Sequence, residues 1–184
     1  MVNTAKFKRQ SLERYCASYA DLQVALSALT FLFECDQHAK YSIPELRRFR
    51  CYETTFVVSY ARPFTSNRGN TIKQISLRKI GVSLNEVEKK MHEKIIKLRN
   101  SFYAHSDLDY LSLRLDGFDI EVDDYKKIFL IHSRFDEGLQ FYDLFDRVDA
   151  ESLISKIMSQ LYIHMKEISE QNRDFLPIIV VPSS

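Results

Sequence analysis

The chain has 184 residues, 45% of them hydrophobic, which suits one compact core and leaves little for a second domain. Four glycines and four prolines favour long helices, and thirteen phenylalanines with ten tyrosines supply buried bulk. No apolar run approaches the ~18 residues that span a bilayer, and Met1–Arg9 lacks a signal peptide's apolar centre, so a soluble, cytoplasmic protein with no membrane partner is expected. The net charge of +1 hides an asymmetry. Residues 1–106 hold 18 Lys and Arg against 9 Asp and Glu, whereas residues 107–184 hold 8 against 16. A basic half suits a polyanionic ligand; the alternative is that the two halves pair with one another or with another subunit. Three scattered cysteines (Cys16, Cys35, Cys51) form no C-x-x-C pair, which argues against a disulfide framework or zinc knuckle and for small buried thiols on helices.

Taken in chain order, apolar residues recur at helical spacing from Ser11 to about Gln37 (Leu12, Tyr15, Tyr19, Leu22, Leu26, Leu29, Phe33), with Ser11 as N-cap. Ser42-Ile43-Pro44-Glu45 opens a second helix with a cap, an early proline and an acid facing the positive helix end. It runs through Phe49, Phe56 and Val57 to Tyr60, and Pro63 stops it. Thr65–Thr71 reads as a loop and Ile72–Ile80 as a short helical piece. Ser83 and Glu86 form a capping box for a third helix, whose stripe is Val87, Met91, Ile95, Leu98 and Phe102, continued by His105. Tyr110–Leu115 and Phe118–Val122 alternate about the turn signal Asp116-Gly117, a small hairpin to which Ile128–Ile131 or Leu139–Phe145 adds a strand. Asp149 caps the last helix, with Leu153, Ile154, Ile157, Leu161, Met165 and Ile168 inward. The apolar tail Phe175–Val181 is expected to cross a groove or a partner's surface.

The chemistry-bearing stretch is Leu98-Arg99-Asn100-Ser101-Phe102-Tyr103-Ala104-His105-Ser106-Asp107. Arginine grips phosphate as a permanently charged planar fork, and histidine moves protons near neutral pH. On a continuous α-helix Arg99 and His105 stand about 120° apart, so they converge only if the helix ends near His105 or if a second copy supplies the partner group. His105 could equally be a buried histidine bonded to a carbonyl, and Arg99 a salt-bridging surface residue facing Asp107.

This stretch resembles the signature of the HEPN superfamily: an arginine, a polar residue, then a histidine after four to six intervening positions. The segment Val57-Val58-Ser59-Tyr60-Ala61-Arg62-Pro63-Phe64 is similar to the preceding helix of some members. The resemblance implies a mainly α protein, an up-down bundle of four to five helices spanning 1–184 as a single domain, with a β-hairpin insertion at about 108–145 before the last helix. It further implies a metal-independent endoribonuclease of toxin or antiviral-defence type, with RNA as substrate, no cofactor, a homodimeric composite cleft and an antitoxin protein as partner. Arg99 is then the phosphate and transition-state binder, His105 the general base or acid, and Asn100 the residue that orients them. Tyr60, Arg62, Tyr103 and Asp107 are the candidate substrate contacts, Tyr60 by stacking a base and Arg62 by holding a phosphate. Some toxin members carry a tyrosine two residues after the histidine as a target for nucleotide modification. Asp107 stands there in this chain, so that regulation is not carried over. The alternative is a catalytically inactive HEPN-like module that binds RNA, a nucleotide or a protein.

Among other residues, Arg47-Arg48-Phe49-Arg50 is a basic cluster with an interleaved aromatic, either an RNA contact or a solvated face. His92 is a surface histidine or a flank of the cleft. His38, His132 and His164 lack partners at metal-ligand spacing and read as structural.

Overall fold

The computed structural model describes residues 2–65, 74–103, 113–123, 126–135 and 138–177. The first helix, α1 (Val2–Leu32), starts well before Ser11, which lies inside it. No glycine or proline precedes Pro44, and the Ala, Lys, Arg and Gln of the first turns are strong helix formers, so nothing stops the helix at Ser11. It also ends sooner than the apolar pattern does. Phe33 and Cys35 still pack on the core while the backbone has already left the α-helical ladder, with Cys35 N–H bonding to Leu32 O at 3.0 Å. The hydrophobic signal therefore outlasts the helix. Of the cysteines, only Cys35 is buried, Cys16 is half-buried and Cys51 is exposed on α2; all three are free thiols.

Helix α2 (Ile43–Ala61) begins as the sequence indicates. The Glu45 carboxylate accepts from Ser42 N–H at 2.8 Å and from its hydroxyl at 2.6 Å, which holds the Glu45 carboxyl below its ordinary value. A 3₁₀ turn, Arg62–Phe64, closes it around Pro63. Where a helical piece was expected before Ile80, residues 77–81 form one hydrogen-bonded turn ending on Gly81 at φ 76°, a value that favours glycine; residues 72 and 73 lie outside the described residues. Helix α3 (Glu86–Leu98) is capped by Asn85, not Ser83. Asn85 Oδ1 accepts from Glu88 N–H at 2.9 Å, and Glu88 accepts from Asn85 N–H at 2.8 Å. Asparagine caps as well as serine, and this box lies two residues further on, where Lys156 also reaches Glu88 at 2.7 Å. Met91, Ile95 and Leu98 are buried as expected, but Val87 is exposed.

Strands β1 (Leu113–Asp123) and β2 (Lys126–Phe135) form a two-stranded antiparallel ribbon. Asp116-Gly117 is not its turn: Gly117 lies within β1 opposite Ile131. The glycine serves close approach instead, since a Cβ there would come within 2.5 Å of the Phe129 ring. Helix α4 (Leu144–Gln171) starts before Asp149 and is capped by Asp143, whose carboxylate accepts from Phe145 N–H at 2.7 Å. No strand forms at 139–145. A 3₁₀ turn follows at Arg173–Phe175, and of the apolar tail only 175–177 are described, with Leu176 exposed.

The four helices close a ring in which α1 packs on α2 and α4, and α3 packs on the same two. Each contact is antiparallel. Early α1 meets the end of α2 where Arg14 donates to Arg62 O and Pro63 O; Tyr15 meets His164 while the end of α1 meets Arg147; Glu88 and Lys94 of α3 reach Lys156 and Asp146 of α4. The result is an up-and-down four-helix arrangement around Leu22, Leu29, Phe56, Tyr60, Ile95 and Ile154. None of these helices is long and apolar enough to cross a membrane.

Among the described residues, one cation is buried in this frame. Arg147, 1% exposed, donates to the carbonyls of Leu32, Cys35 (2.7 Å), Tyr142 (3.1 Å) and Asp143 (3.4 Å). Arg147→Ala leaves these acceptors without their donor and is expected to cost about 3–5 kcal/mol. Arg147→Lys, a point charge on a flexible stem, should recover only part of this. Urea denaturation followed by circular dichroism measures both; a loss under about 1 kcal/mol for the alanine variant contradicts the assignment.

Candidate active site

Helix α3 carries the motif at its end. Its last α-helical residue is Leu98, and Arg99–Tyr103 form a π turn. A π turn holds an extra residue per turn, so Arg99–Tyr103 depart from the continuous α-helix on which the 120° separation was reckoned. Arg99 is half-buried and Asn100 exposed; Arg99 Nη1 donates to Asn100 Oδ1 at 3.1 Å. Among the described residues this is the guanidinium's one hydrogen bond, out of the five N–H donors it carries. The structure thus brings two motif residues into contact. His105 and Asp107 lie outside the described residues, and nothing is described of the Tyr103 side chain.

Three sequence expectations require correction. Tyr60 is completely buried and cannot stack a base. Its hydroxyl lies 2.8 Å from His92 Nδ1, and Phe64 meets the imidazole edge-on at 5.0 Å. Burial pushes the Tyr60 phenol up and pulls His92 down toward the neutral ring, and the imidazole tautomer sets which of the two donates. His92 is not a surface residue but part of the α2–α3 contact. Phe49 is likewise a core residue at 1% exposure, so the basic cluster lacks its interleaved surface ring; Arg48 lies over that ring at 5.1 Å and Arg50 donates to Gly138 O at 2.7 Å.

Arg62 is exposed and ion-paired with Asp21 at 3.3 Å. It sits at the C-terminal end of α2, beside the Tyr60–His92 contact, whereas Arg99 is seven residues beyond His92 on α3, about 10 Å along the axis. Sequence reading missed Arg14, whose guanidinium covers the end of α2, and Ser18, one turn on. Ser18 Oγ and Arg14 Nε are buried with no hydrogen-bond partner among the described residues. Their signal was present: two polar residues on the core-facing stripe that continues through Leu22, Ala25 and Leu29. His38 is exposed and His164 packs edge-on against Tyr15; the side chain of His132 is not described.

Comparison of the chain with family models, with curated proteins and with solved structures finds no match.

The His92 contact carries a pH signature. Its folded pKa lies below the unfolded 6.5, so the unfolded chain takes up the proton first. This contribution to stability is complete above about pH 6.5 and is lost as the pH falls from there through the lower folded value. Thermal melting between pH 8 and 5 should show a decline that His92→Gln flattens; a parallel decline in both proteins refutes the assignment.

Proposed function

We propose that the chain is a metal-independent endoribonuclease of the HEPN type, working as a homodimer on RNA in a toxin or defence setting. The observation that carries this reading is the Arg99–Asn100 contact on the turn that ends α3; in the sequence His105 follows six residues after the arginine. Support comes from the setting as well. The motif closes a helix of an antiparallel four-helix ring, and π turns recur at functional sites. Arg99 is partly open to solvent, with donors to spare for non-bridging phosphate oxygens.

In this reading the RNA supplies its own nucleophile. His105 takes the proton of a ribose 2′-hydroxyl, the oxygen bonds to the adjacent phosphorus, and the bond to the 5′-oxygen breaks. A 2′,3′-cyclic phosphate and a 5′-hydroxyl result, the leaving oxygen taking up a proton. Arg99 neutralises charge that builds on the phosphoryl oxygens, and Asn100 holds the guanidinium at a fixed angle. General acid–base help of this kind contributes about 10²–10⁴-fold, and fixed cationic stabilisation about as much again.

Arg99→Ala and His105→Ala should each reduce cleavage of a labelled RNA in EDTA by at least about 100-fold, with melting temperatures unchanged. Asn100→Ala should lose less. Wild-type protein that leaves RNA intact overturns the nuclease reading, and a salt-dependent gel shift without cleavage assigns a silent RNA-binding module instead.

A further inference from the structure

Two stretches of this chain are almost free of charge, and the fold lays them side by side. Residues 17–32 of α1 hold one charged residue, Asp21, and residues 152–165 of α4 hold one, Lys156, in a chain that is 28% Asp, Glu, Lys and Arg. Both exceptions turn away from the seam between α1 and α4. Asp21 pairs with Arg62 at the end of α2, and Lys156 pairs with Glu88 of α3. The seam opens into a groove of about 480 Å³ lined by Tyr19 and Leu26 of α1 and by Ser155, Met158, Ser159 and Tyr162 of α4. Tyr162 is 57% exposed and the neighbouring Ile163 46%. A helix face that only meets water carries charges, whereas an uncharged one that presents tyrosine and methionine has the composition of an interface centre.

The outer face of α4 also has an order that fits itself. Glu151, Ser155, Ser159, Tyr162 and Lys166 follow at steps of three or four, so they share one face, and all five are exposed. From one end the order is an acid and, four residues on, a small side chain; from the other it is a base and, four residues back, a large ring. Two copies of α4 set antiparallel about a two-fold axis at the level of Met158 and Ser159 bring Ser155 of each against Tyr162 of the other. The same pairing sets Glu151 of each against Lys166 of the other. A ring thus enters where a serine leaves room, and opposite charges close both ends. Lys166 holds an exposed contact with Glu170 of its own helix at 3.8 Å, and an ammonium has three donors. A nucleic acid finds no cation in the groove to hold it, and an unrelated helix fits only by repeating this order.

We infer that the groove between α1 and α4 is a self-association surface, filled by the Tyr162 face of α4 from a second copy running antiparallel. The inference stands whether or not the chain cleaves RNA. Glu151 to Lys166 spans about 22 Å of helix and two helices side by side about 20 Å, so each copy contributes on the order of 450 Å². That is a little over half of a standard interface at roughly 800 Å² per partner, which gives a weak, concentration-dependent dimer.

Sedimentation equilibrium of the whole chain without RNA, from about 1 to 200 µM, tests this. Wild type should pass from monomer to dimer. Glu151→Lys and Lys166→Glu each set like charges opposite one another twice and should weaken association about tenfold, and the double variant, which reverses both pairs, should restore it. Tyr162→Ser should weaken it as well, whereas Val24→Ser, on the flank of α1 where Phe31 stacks on Tyr52 of α2, should leave it unaltered. All four positions are exposed, so helix content by circular dichroism should match wild type throughout. A wild type that stays monomeric overturns the inference, as does a double variant no stronger than the single ones. Dimerisation indifferent to all of these substitutions assigns another face and overturns it too. In a monomeric wild type, loss of a co-purifying protein on Tyr162→Ser gives the groove to that protein instead and overturns it likewise.

Discussion

Helix α1 ends with no basic residue in its last turn, and a cation from far along the chain covers that end, reaching the carbonyl of Leu32, its last residue, and that of Cys35 just beyond. Arg147 binds Leu32 O and Cys35 O on one side and Tyr142 O and Asp143 O on the other, so one guanidinium joins the end of α1 to the start of α4. A buried charge is costly in a medium of low dielectric constant. Here it faces the negative end of a helix dipole and four carbonyl oxygens, which offset that cost with hydrogen bonds and no full ion pair among them. Beside it, the buried Glu53 accepts from Phe141 N–H at 2.6 Å, which seats the Phe141 ring edge-on against Phe56 at 4.9 Å. Lys94 of α3 then lies over that ring at 4.5 Å and pairs with Asp146 at 2.7 Å. The position of α3, and with it of Arg99, is inherited step by step from this buried polar cluster.

Local chemistry was legible where the determinants are neighbours in sequence. Ser42, Pro44 and Glu45 announce α2 because the cap, the proline and the carboxylate act within one turn. The stripe Met91, Ile95, Leu98 fixes the inner face of α3 for the same reason. Boundaries failed where a rival of equal quality stood nearby. Asn85 displaced Ser83, and Asp143 displaced Asp149, because each brings its own side-chain bond to a free N–H. Gly117 misled because glycine serves both a tight turn and a close approach; the approach needs Phe129, whose cross-strand position no local pattern displays.

The site was legible in part, for a similar reason. That Arg99 and Asn100 lie together on one turn follows from adjacency. That Tyr60 is a core residue does not, because its partner His92 comes from another helix, thirty-two residues away. Periodicity placed His92 on the stripe next to the buried one and so toward solvent, yet α2's end, with Phe64, covers it. Aromatic residues beside arginines at a helix end read equally as a nucleic-acid platform or as the edge of a core. Only tertiary contacts distinguish these, and for Tyr60 and Phe49 they decide for the core.

Lys94–Asp146 joins a base of the first part of the chain to an acid of the last, whereas Lys156–Glu88 joins the minority charge of each part, so the two pairs hold α3 against α4 without reducing the imbalance. These pairs are partly exposed and individually weak, which suits alignment better than stability. Arg62 is occupied by Asp21 and Arg50 by Gly138 O. Arg99 differs, since its contact is a neutral amide that orients the fork without neutralising it. A guanidinium already matched to a carboxylate would have to break that pair before binding phosphate, whereas one aligned by asparagine keeps its full charge for an incoming anion. That distinction, more than the count of basic residues in the first half, is what the proposed phosphate-binding role of Arg99 draws on.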